Sequence, residues 1–290
     1  MIIAALKGGL GNQLFQYAAA RSLAHIHKTI VKLDTTAYYY GGPRQYELCH
    51  FNIQENIVQT SEITKFTKIK QNRFQKLFHT FLHNRPKLSP HHIRYNKIRF
   101  YKDFFNLPDN IYLEGYFQSE KYFINIADII RDEFKAKNEL TGKNKEIAGL
   151  MQNVQSVNLC VRRGDYVTNP KANQKHGICS LDYYYRCIEM VSKKTKSPHF
   201  FVFSNDIDWC RDNLKIEYPV HYIDHQQDKA CEDLRLMSFC KYHIIANSTF
   251  HWWGAWLAPY KDKIVFATEN WFARSDINSE GMIPDNWIKL

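Results

Sequence analysis

The sequence contains no long hydrophobic run. None of its 290 residues belongs to an uninterrupted apolar stretch of about 18 residues, which excludes a membrane-spanning helix. A secretory signal is also missing, because the apolar start Met1–Leu6 is short and is followed by Lys7 and two glycines. We therefore expect a cytoplasmic protein whose first residues form a β-strand.

Cysteine patterns typical of disulfide frameworks and zinc sites are also lacking. The seven cysteines are an odd number, and no two of them are spaced as Cys-x-x-Cys. This argues against both kinds of site and fits reduced thiols that pack as small hydrophobic side chains. The cysteines are Cys49, Cys160, Cys179, Cys187, Cys210, Cys231 and Cys240.

Acidic residues are missing from one long segment of a chain whose net charge is +10. Between Lys65 and Lys102 there are eleven Lys or Arg residues and no Asp or Glu. Such a basic stretch can bind RNA, lie on an anionic membrane surface, or form a solvated helix face. Part of it has the apolar spacing of an amphipathic helix, at Phe74, Leu77, Phe78, Phe81 and Leu82.

What the sequence does contain is a repeating order of strands and helices. With 44% hydrophobic residues, the chain can form a large core or two domains of about 150 residues each. A strand at 2–6, a glycine turn, a helix at 12–28 and a strand at 30–33 form a βαβ unit. Later strands are predicted at 157–161, 199–203, 220–223, 242–246 and 264–267, alternating with helices at 181–193, 207–214, 228–241 and 249–257. This order predicts an α/β fold with parallel sheets covered by helices.

Two Rossmann-like domains facing a cleft are the simplest arrangement of these elements. The polar segment 138–145 is the best linker candidate, so we expect domains at 1–145 and 146–290. Ligands in such sheets bind at the carboxyl ends of the strands. After the βαβ unit we predict an irregular region at 35–110, which contains the basic insertion near 60–102. A strand at 111–113 and a helix at 119–134 are predicted to follow it, before the linker.

Two adjacent arginines follow the predicted strand 157–161. Burying both guanidinium groups in a core has a heavy desolvation cost, so Arg162 and Arg163 are expected at the strand end. There they can grip phosphate oxygens in pairs. Asp165 can orient an arginine or accept a proton. A surface Arg–Asp pair in a loop is the structural alternative.

Small and polar residues follow the other strands. Gly8–Gln13 is either a ligand loop or a tight turn, and Leu14 replaces the third glycine of the dinucleotide fingerprint. Ser204–Asp206 can hydrogen-bond a base or a ribose, or cap a helix. Asn247–Phe250 opens a helix and suits phosphate. The tryptophans that follow it fit core packing better than base stacking; they are Trp252, Trp253 and Trp256.

These strand ends together indicate a nucleotide diphosphate as the ligand. We expect no Asp-x-Asp carboxylate pair to hold a metal ion beside the diphosphate, so the arginines have to supply the positive charge. Five motifs then carry a specific resemblance to the bacterial α-1,2-fucosyltransferase family, glycosyltransferase family 11. They are Gly8–Ala18, Leu113–Glu120, Arg162–Val167, Asp233–Ser238 and Asn247–Leu257.

The resemblance implies a GT-B-like fold and an inverting transferase that needs no metal or other cofactor. It implies transfer of fucose from GDP-L-fucose to the 2-hydroxyl group of a β-galactoside in a cell-surface glycan of O-antigen, lipopolysaccharide or capsule type. It further implies that Arg162 binds the β-phosphate of GDP, that Asp206 lies near the guanine, and that Asn12 lies near the reacting centre. The donor-binding set also includes Gly9, Gly11, Cys160, Arg163, Asn247, Ser248, Thr249 and Phe250.

One departure from the family pattern concerns the nucleotide. The first histidine of the family's His-x-Arg-Arg-x-Asp pattern is Cys160 here, so guanine binding is expected to rely more on Asp206 and the backbone. Two carboxylates, Asp165 and Glu114, are candidates for the base that takes the acceptor proton, and neither is preferred.

Other interpretations stay open at this point. A GT-B transferase with another GDP-sugar or another fucose linkage fits the same motifs. An RNA-binding protein is a remote alternative, because the aromatic signature of RNA-recognition motifs is missing, so we expect no nucleic-acid partner. The basic stretch predicts a peripheral contact with the anionic inner face of the plasma membrane.

Overall fold

A computed structural model describes residues 1–39, 41–67, 89–225 and 230–290. The chain divides into two compact units, Met1–Phe134 and Lys135–Leu290. The amphipathic helix predicted around Phe74, together with most of the basic stretch, lies outside the described residues.

The first unit contains one parallel four-stranded sheet with the strand order β2-β1-β4-β3. Strand β1 leads through a glycine turn into helix α1 and then into β2, which confirms the predicted βαβ unit. Its strands are β1 (Ile2–Ala5), β2 (Val31–Asp34), β3 (His92–Tyr95) and β4 (Ile111–Gly115), and its helices are α1 (Leu10–Ile26), α2 (Thr60–Thr67) and α3 (Ala127–Glu133).

Two predictions for the first unit were wrong. The region 35–110 is not wholly irregular, because it contains α2 and β3. Strand β3 was not predicted because its residues His92 and Arg94 are basic and interrupt a hydrophobic pattern. The helix predicted at 119–134 is broken into two single 3-10 turns, Glu120–Tyr122 and Ile124–Ile126, followed by α3. The Ser119 side chain accepts a hydrogen bond from the Lys121 N–H and so starts a separate turn.

The second unit contains a parallel six-stranded sheet with the order β10-β9-β8-β5-β6-β7. All five strands predicted here are confirmed. The elements are α4 (Gly142–Asn153), β5 (Gln155–Val161), α5 (Gly164–Thr168), α6 (Pro170–His176), α7 (Leu181–Lys194), β6 (Pro198–Ser204), α8 (Ile207–Asn213), β7 (Val220–Tyr222), α9 (Ala230–Ser238), β8 (Tyr242–Ile245), α10 (Thr249–Leu257), β9 (Ile264–Ala267) and β10 (Ile288–Lys289).

Helices cover both faces of this second sheet. Successive residues of β5 and β6 point to opposite faces, and each face has its own hydrophobic cluster. One cluster includes the buried side of α7, and the other includes residues of α4 and α9. The sequence therefore correctly predicted an α/β fold with helices on both faces. The three tryptophans of α10 are buried, as predicted for core residues: Trp252, Trp253 and Trp256.

The predicted domain boundary was wrong. The units meet between Phe134 and Lys135, whereas the polar segment 138–145 had indicated a boundary after residue 145. That position lies inside α4, whose residues Ala148 and Met151 are buried in the core of the second unit. The polar residues had looked like a linker because they form the exposed start of an amphipathic helix. Within the described ranges, no helix has both the length and the hydropathy that crossing a bilayer requires.

Candidate active site

The carboxyl end of β5 carries the guanidinium group of Arg162. Its Nη2 donates to Oδ1 of Asp165 at 2.5 Å, and its Cζ lies 5.0 Å from the centroid of the Tyr166 ring. The Arg162 side chain is mostly buried, whereas Asp165 is about half exposed. Asp165 and Tyr166 therefore hold a nearly buried cation in a fixed orientation at the strand end, which is where parallel sheets bind their ligands.

The neighbouring Arg163 points to a different set of partners. Its Nε donates to Oδ2 of Asp206 at 3.2 Å, and its Cζ lies 3.8 Å from the centroid of the Trp209 ring. The N–H of Arg163 donates to Oδ1 of Asn205 at 3.0 Å. The structure thus brings Arg163 and Asp206 together. Asp206 stands at the start of α8, but its side chain does not cap that helix.

The close approach of Asn205 depends on Gly164. This glycine has a φ of +27°, and a Cβ atom built on it would lie 2.0 Å from Nδ2 of Asn205. Any side chain here would displace Asn205 and with it the hydrogen bond to the Arg163 N–H. The glycine is therefore required by both backbone conformation and space.

The first turn of α10 contains no acidic residue. Ser248 precedes the helix, is buried, and makes no capping hydrogen bond with its side chain. Thr249 and Phe250 are half-buried, and Phe250 packs against the hydrophobic cluster of α4 and α9. The N-terminus of a helix carries partial positive charge, so this arrangement suits a phosphate.

His251 in the same helix is a buried neutral base. Burial and, to a smaller extent, the positive charge of Arg162 together lower the pKa of His251 to about 3. Its Nδ1 has no hydrogen-bond partner among the described residues. Because β5 and β8 are neighbouring parallel strands, the end of β5 and the first turn of α10 lie at the same edge of the sheet.

Asn247 has a structural role in this site. Its Nδ2 lies 2.7 Å from the carbonyl oxygen of His176 and also reaches those of Gly177 and Trp271. The residue is almost wholly buried. Its amide group therefore ties the loop after α6 to the end of β8, rather than offering itself to a ligand.

Cys160 lies in the core. Its thiol is completely buried between Asn158 and Met237, and burial raises its pKa well above the usual range. The thiol therefore offers no surface to a nucleotide in this structure, because Cys160 points into the hydrophobic cluster that includes residues of α4 and α9. The geometry gives no support to the expected nucleotide contact.

The glycine loop of the first unit is held by its own side chains. Gly8 has a φ of +84°, and a Cβ atom on it would lie 2.7 Å from Nδ2 of Asn12. The Gly8 carbonyl accepts hydrogen bonds from Tyr38 and from Gln13, each at 3.0 Å. Oδ1 of Asn12 accepts from Nε2 of Gln118 at 2.7 Å. These contacts describe a tight structural turn.

A carboxylate already lies at the N-terminus of α1. Glu47 accepts a hydrogen bond from the N–H of Leu10, and its own N–H donates to Oε1 of Gln13 at 2.9 Å. Burial raises the pKa of Glu47, and the Leu10 hydrogen bond and the charge of Arg44 offset this only in part. The positive end of α1, which contains Gly9 and Gly11 in its turn, is therefore paired within the protein.

Glu114, the second candidate base, lies at the end of β4 beside two cations and a histidine. Its carboxylate lies 2.6 Å from Nε of Arg94, 2.9 Å from Nε2 of His92 and 3.6 Å from Nζ of Lys7. Partial burial raises its pKa, but the hydrogen bonds from Arg94 and His92 and the charges of Arg94 and Lys7 outweigh it and hold the pKa below the usual value. A carboxylate with a lowered pKa is a weaker base.

The sequence reading missed Asp233 in α9. This carboxyl group is buried, and its Oδ1 has no hydrogen-bond partner within the described part of the chain. Burial raises its pKa to about 7, and the charge of Glu232 adds to the shift. At the sequence level Asp233 was named only as part of the motif Asp233–Ser238. Its burial could not be predicted, because an acidic residue in an amphipathic helix is expected on the exposed face.

Metal-binding geometry was also considered at the Asp-x-Asp sequence Asp206–Asp208. Its two carboxylates pair with different arginines, Arg163 and Arg211. Among residues 1–39, 41–67, 89–225 and 230–290, no three His, Cys, Asp or Glu side chains are grouped so that they could hold a metal ion. The expectation of a metal-independent reaction stays a prediction.

The comparison with known proteins identifies the family. The profile described as glycosyl transferase family 11 matches residues 1–290. The chain belongs to this family. It is 33% identical over 300 residues to an alpha-1,2-colitosyltransferase of Escherichia coli, covering 100% of this chain and 99% of that protein. It is also 33% identical over 305 residues to the O-antigen biosynthesis glycosyltransferase WbnK of Escherichia coli, covering 98% and 99%.

Animal relatives match a smaller part. The galactoside alpha-(1,2)-fucosyltransferase 1 of Bos taurus is 28% identical over 155 residues, which are 50% of this chain and 43% of that protein. Among solved structures, a mutant of Arabidopsis thaliana FUT1 in complex with GDP has a TM-score of 0.54 at 12% identity, covering 98% of this chain and 74% of that one. POFUT1 in complex with GDP-fucose has a TM-score of 0.50 at 13% identity, covering 91% and 96%. These likenesses confirm the GT-B-like fold class.

Proposed function

We propose that this family 11 glycosyltransferase moves L-fucose from GDP-L-fucose to the 2-hydroxyl group of a β-galactoside, with inversion and without a metal ion. The observation that supports it most is the position of Arg162 and of the acid-free N-terminus of α10 at the carboxyl ends of the neighbouring parallel strands β5 and β8. Both features favour a diphosphate. The solved GT-B relatives hold GDP or GDP-fucose, and the Bos taurus relative carries the galactoside alpha-(1,2) name.

The chemistry of the reaction explains why such a site is needed. As the bond between fucose and the diphosphate breaks, negative charge gathers on the leaving phosphate. Arg162 and the first amides of α10 are fixed before the reaction, and stabilisation by preorganised groups of this kind is worth about 3–4 kcal/mol each. Ser248, Thr249 and Phe250 would lie along the diphosphate. Arg163 and Asp206 would then lie near the nucleoside, and Asn12 near the reacting carbon.

Two roles are open for the carboxylates. Asp165 contacts Arg162 directly and, in our proposal, orients that guanidinium group toward the phosphate. Glu114 is surrounded by Lys7, His92 and Arg94, which makes it better suited to hydrogen-bonding a sugar hydroxyl than to taking a proton. A strong base is not required if departure of the diphosphate runs well ahead of attack by the acceptor.

The sugar that is transferred has a specific competitor. The relative that matches the whole chain is named an alpha-1,2-colitosyltransferase, and colitose differs from fucose only in lacking the 3-hydroxyl group. A site that hydrogen-bonds a hydroxyl can reject an analogue without it by as much as about 10⁴-fold. A GDP-colitose donor is therefore the second candidate, with the same linkage and the same site.

The acceptor and the location follow from the relatives and the charge. WbnK is named for O-antigen biosynthesis, so we propose a galactose-terminated glycan of O-antigen, lipopolysaccharide or capsule type as the acceptor. The basic stretch between Lys65 and Lys102 would bring the enzyme to the anionic inner face of the plasma membrane. Binding to anionic vesicles that weakens with salt would support this, and equal binding to neutral vesicles would reject it.

A donor competition tests the proposal. Initial rates with GDP-fucose, GDP-colitose and GDP-mannose are compared on a panel of galactosides, and the product linkage is determined by nuclear magnetic resonance. We expect the highest kcat/KM with GDP-fucose and an α-1,2 linkage. A higher kcat/KM with GDP-colitose would mean that GDP-colitose is the donor, and the proposed linkage and site would be unchanged. Activity with GDP-mannose alone, or a different linkage, would overturn the proposed function.

A further inference from the structure

Behind Arg162 stands a row of stacked rings that the reaction itself does not use. The Tyr166 ring, which carries the Arg162 guanidinium at 5.0 Å, is stacked on the His176 ring with a centroid distance of 4.8 Å and an interplanar angle of 8°. The His176 ring in turn lies 5.4 Å from the buried ring of Phe272. The cation is thus connected to the core of the second unit through aromatic contacts.

The backbone around these rings is fixed by hydrogen bonds. Nδ2 of Asn173 donates to the carbonyl of Tyr166 at 2.7 Å, and Nδ2 of Asn247 donates to the carbonyl of His176 at 2.7 Å. Gly177 ends α6 with a φ of +66°, and its N–H donates to the Asn173 carbonyl at 2.7 Å. These contacts fix the spacing between α5 and α6, and this spacing brings the Tyr166 and His176 rings together.

The charge state of His176 suits this contact. Burial lowers its pKa to about 4, and the positive charges of Lys175 and Arg162 lower it while Asp165 opposes them. The ring is therefore neutral at neutral pH and does not repel the guanidinium two layers away. By stacking on the phenol ring of Tyr166, the neutral imidazole helps to fix the orientation of the ring face that contacts the cation.

We propose that Tyr166 and His176 are positioning residues that hold Arg162 in the orientation in which it binds the donor diphosphate. An arginine side chain loses much rotamer freedom when it is fixed on a phosphate, and a ring stack that fixes it beforehand removes that cost from binding. Asp165 holds the guanidinium through its edge, and Tyr166 through its face. This inference rests on the proposed function, because it assumes that Arg162 contacts the diphosphate.

The test measures GDP affinity by calorimetry and kcat and KM for GDP-fucose in single variants. Tyr166→Leu is expected to weaken GDP binding about tenfold, and His176→Ala about fivefold. Tyr166→Phe and His176→Phe keep a ring in place, so each should recover most of the affinity that the non-aromatic variant loses. Thermal unfolding verifies that each variant is folded, and His176→Ala carries the test if Tyr166→Leu does not fold.

The matched control is a second arginine–tyrosine contact of the same unit. Cζ of Arg211 lies 5.2 Å from the centroid of the Tyr222 ring, which stands on β7, two strands away from β5. Tyr222→Leu should leave GDP binding unchanged. In an Arg162→Ala background, Tyr166→Leu should have no further effect on the residual kcat/KM for GDP-fucose, which a merely structural role would not produce.

The outcomes separate this inference from the proposed function. If Arg162→Ala loses GDP binding but Tyr166→Leu and His176→Ala bind like the wild type, the positioning role is overturned and the proposed function stands. If Tyr166→Leu lowers kcat/KM for GDP-fucose equally with and without Arg162, the positioning role is also overturned. If the wild-type protein does not bind GDP, or Arg162→Ala binds it equally well, both are overturned.

Discussion

The two units place different charged groups at the ends of their strands. In the first unit, Lys7, His92 and Arg94 surround the carboxylate of Glu114, and the carboxylate of Glu47 is hydrogen-bonded at the start of α1. In the second unit, the guanidinium of Arg162 pairs with the half-exposed Asp165, and the neighbouring strand β8 leads into a helix whose first turn has no acidic residue. Similar Rossmann-like layouts therefore differ in their capacity for an anion, and the difference assigns the diphosphate to the second unit in our account.

The largest expected effect comes from removing the cation of the second unit. Arg162→Ala should lower kcat by about 10²–10³-fold, because the charge on the departing diphosphate loses a preorganised donor. The measurement is the initial rate with saturating GDP-fucose.

The control for this variant is Arg211→Ala. Arg211 pairs with Asp208 and Asp224 on the surface, so its loss should change kcat by less than about twofold. Near-full turnover of Arg162→Ala would contradict the assignment of the diphosphate to the second unit.

A smaller effect is expected from the glycine that follows the two arginines. Gly164→Ala must displace Asn205 and the hydrogen bond to the Arg163 N–H, so kcat/KM should fall about tenfold and stability by about 1–3 kcal/mol. Gly149→Ala is the matched control, because a Cβ atom there meets nothing within 4 Å and the helix should gain about 0.5–1 kcal/mol. Unfolding curves and steady-state kinetics measure both variants. If Gly164→Ala behaved like Gly149→Ala, the required close approach of Asn205 to Gly164 would be contradicted.

The carboxylate of the first unit should matter less to the chemical step. We expect Glu114→Gln to lower kcat by less than about tenfold, because a paired carboxylate with a lowered pKa is a poor base. Steady-state kinetics at neutral pH provide the measurement. A loss beyond about 10²-fold with unchanged GDP affinity would make Glu114 the base and would reverse this part of the comparison.

The smallest effect concerns the buried carboxyl groups of the two units. Asp34 accepts a hydrogen bond from Tyr112 at 2.7 Å, whereas Oδ1 of Asp233 has no partner among the described residues. Because the folded-state pKa of Asp233 is raised to about 7, the wild type should lose stability as the pH rises from about 4 through 7. Asp233→Asn should avoid this loss and be more stable than the wild type by about 2 kcal/mol at pH 8.

Urea unfolding at pH 4 and pH 8 measures this difference. The advantage of Asp233→Asn should largely disappear near pH 4, where the carboxyl group is protonated in the folded chain and about half protonated in the unfolded chain. The exposed carboxylate Asp212 supplies the control, since Asp212→Asn should change stability by less than about 0.5 kcal/mol at either pH. An Asp233→Asn variant that is less stable at pH 8 would indicate a partner for the ionised group.

The sequence predicted regular elements well where a hydrophobic period was strong. The strands of the second unit and the burial of Trp252 followed from apolar patterns. Weakly patterned elements were missed, such as β3 with its basic residues and α4 with its polar start. A linear pattern does not record which face of a helix is covered, so an amphipathic helix was taken for a linker.

The candidate site was predicted in part for similar reasons. Strand-end residues such as Arg162 and Asp206 could be located because a parallel sheet brings carboxyl ends to one edge. Contacts that depend on long-range packing could not be located, such as Glu47 at the start of α1 and the stacking of His176 on Tyr166. The nucleotide contact expected of Cys160 found no support, because helices cover both faces of β5 and bury its thiol.

The most direct test of the central claim is a calorimetric titration of GDP into the protein in the presence of a chelator, for the wild type and for Arg162→Ala. The claim is that fixed positive groups of the second unit hold the diphosphate without a divalent cation. It predicts that the wild type binds GDP equally well with and without the chelator and that Arg162→Ala loses this binding. Loss of wild-type binding on chelation, or undiminished binding by Arg162→Ala, would contradict it.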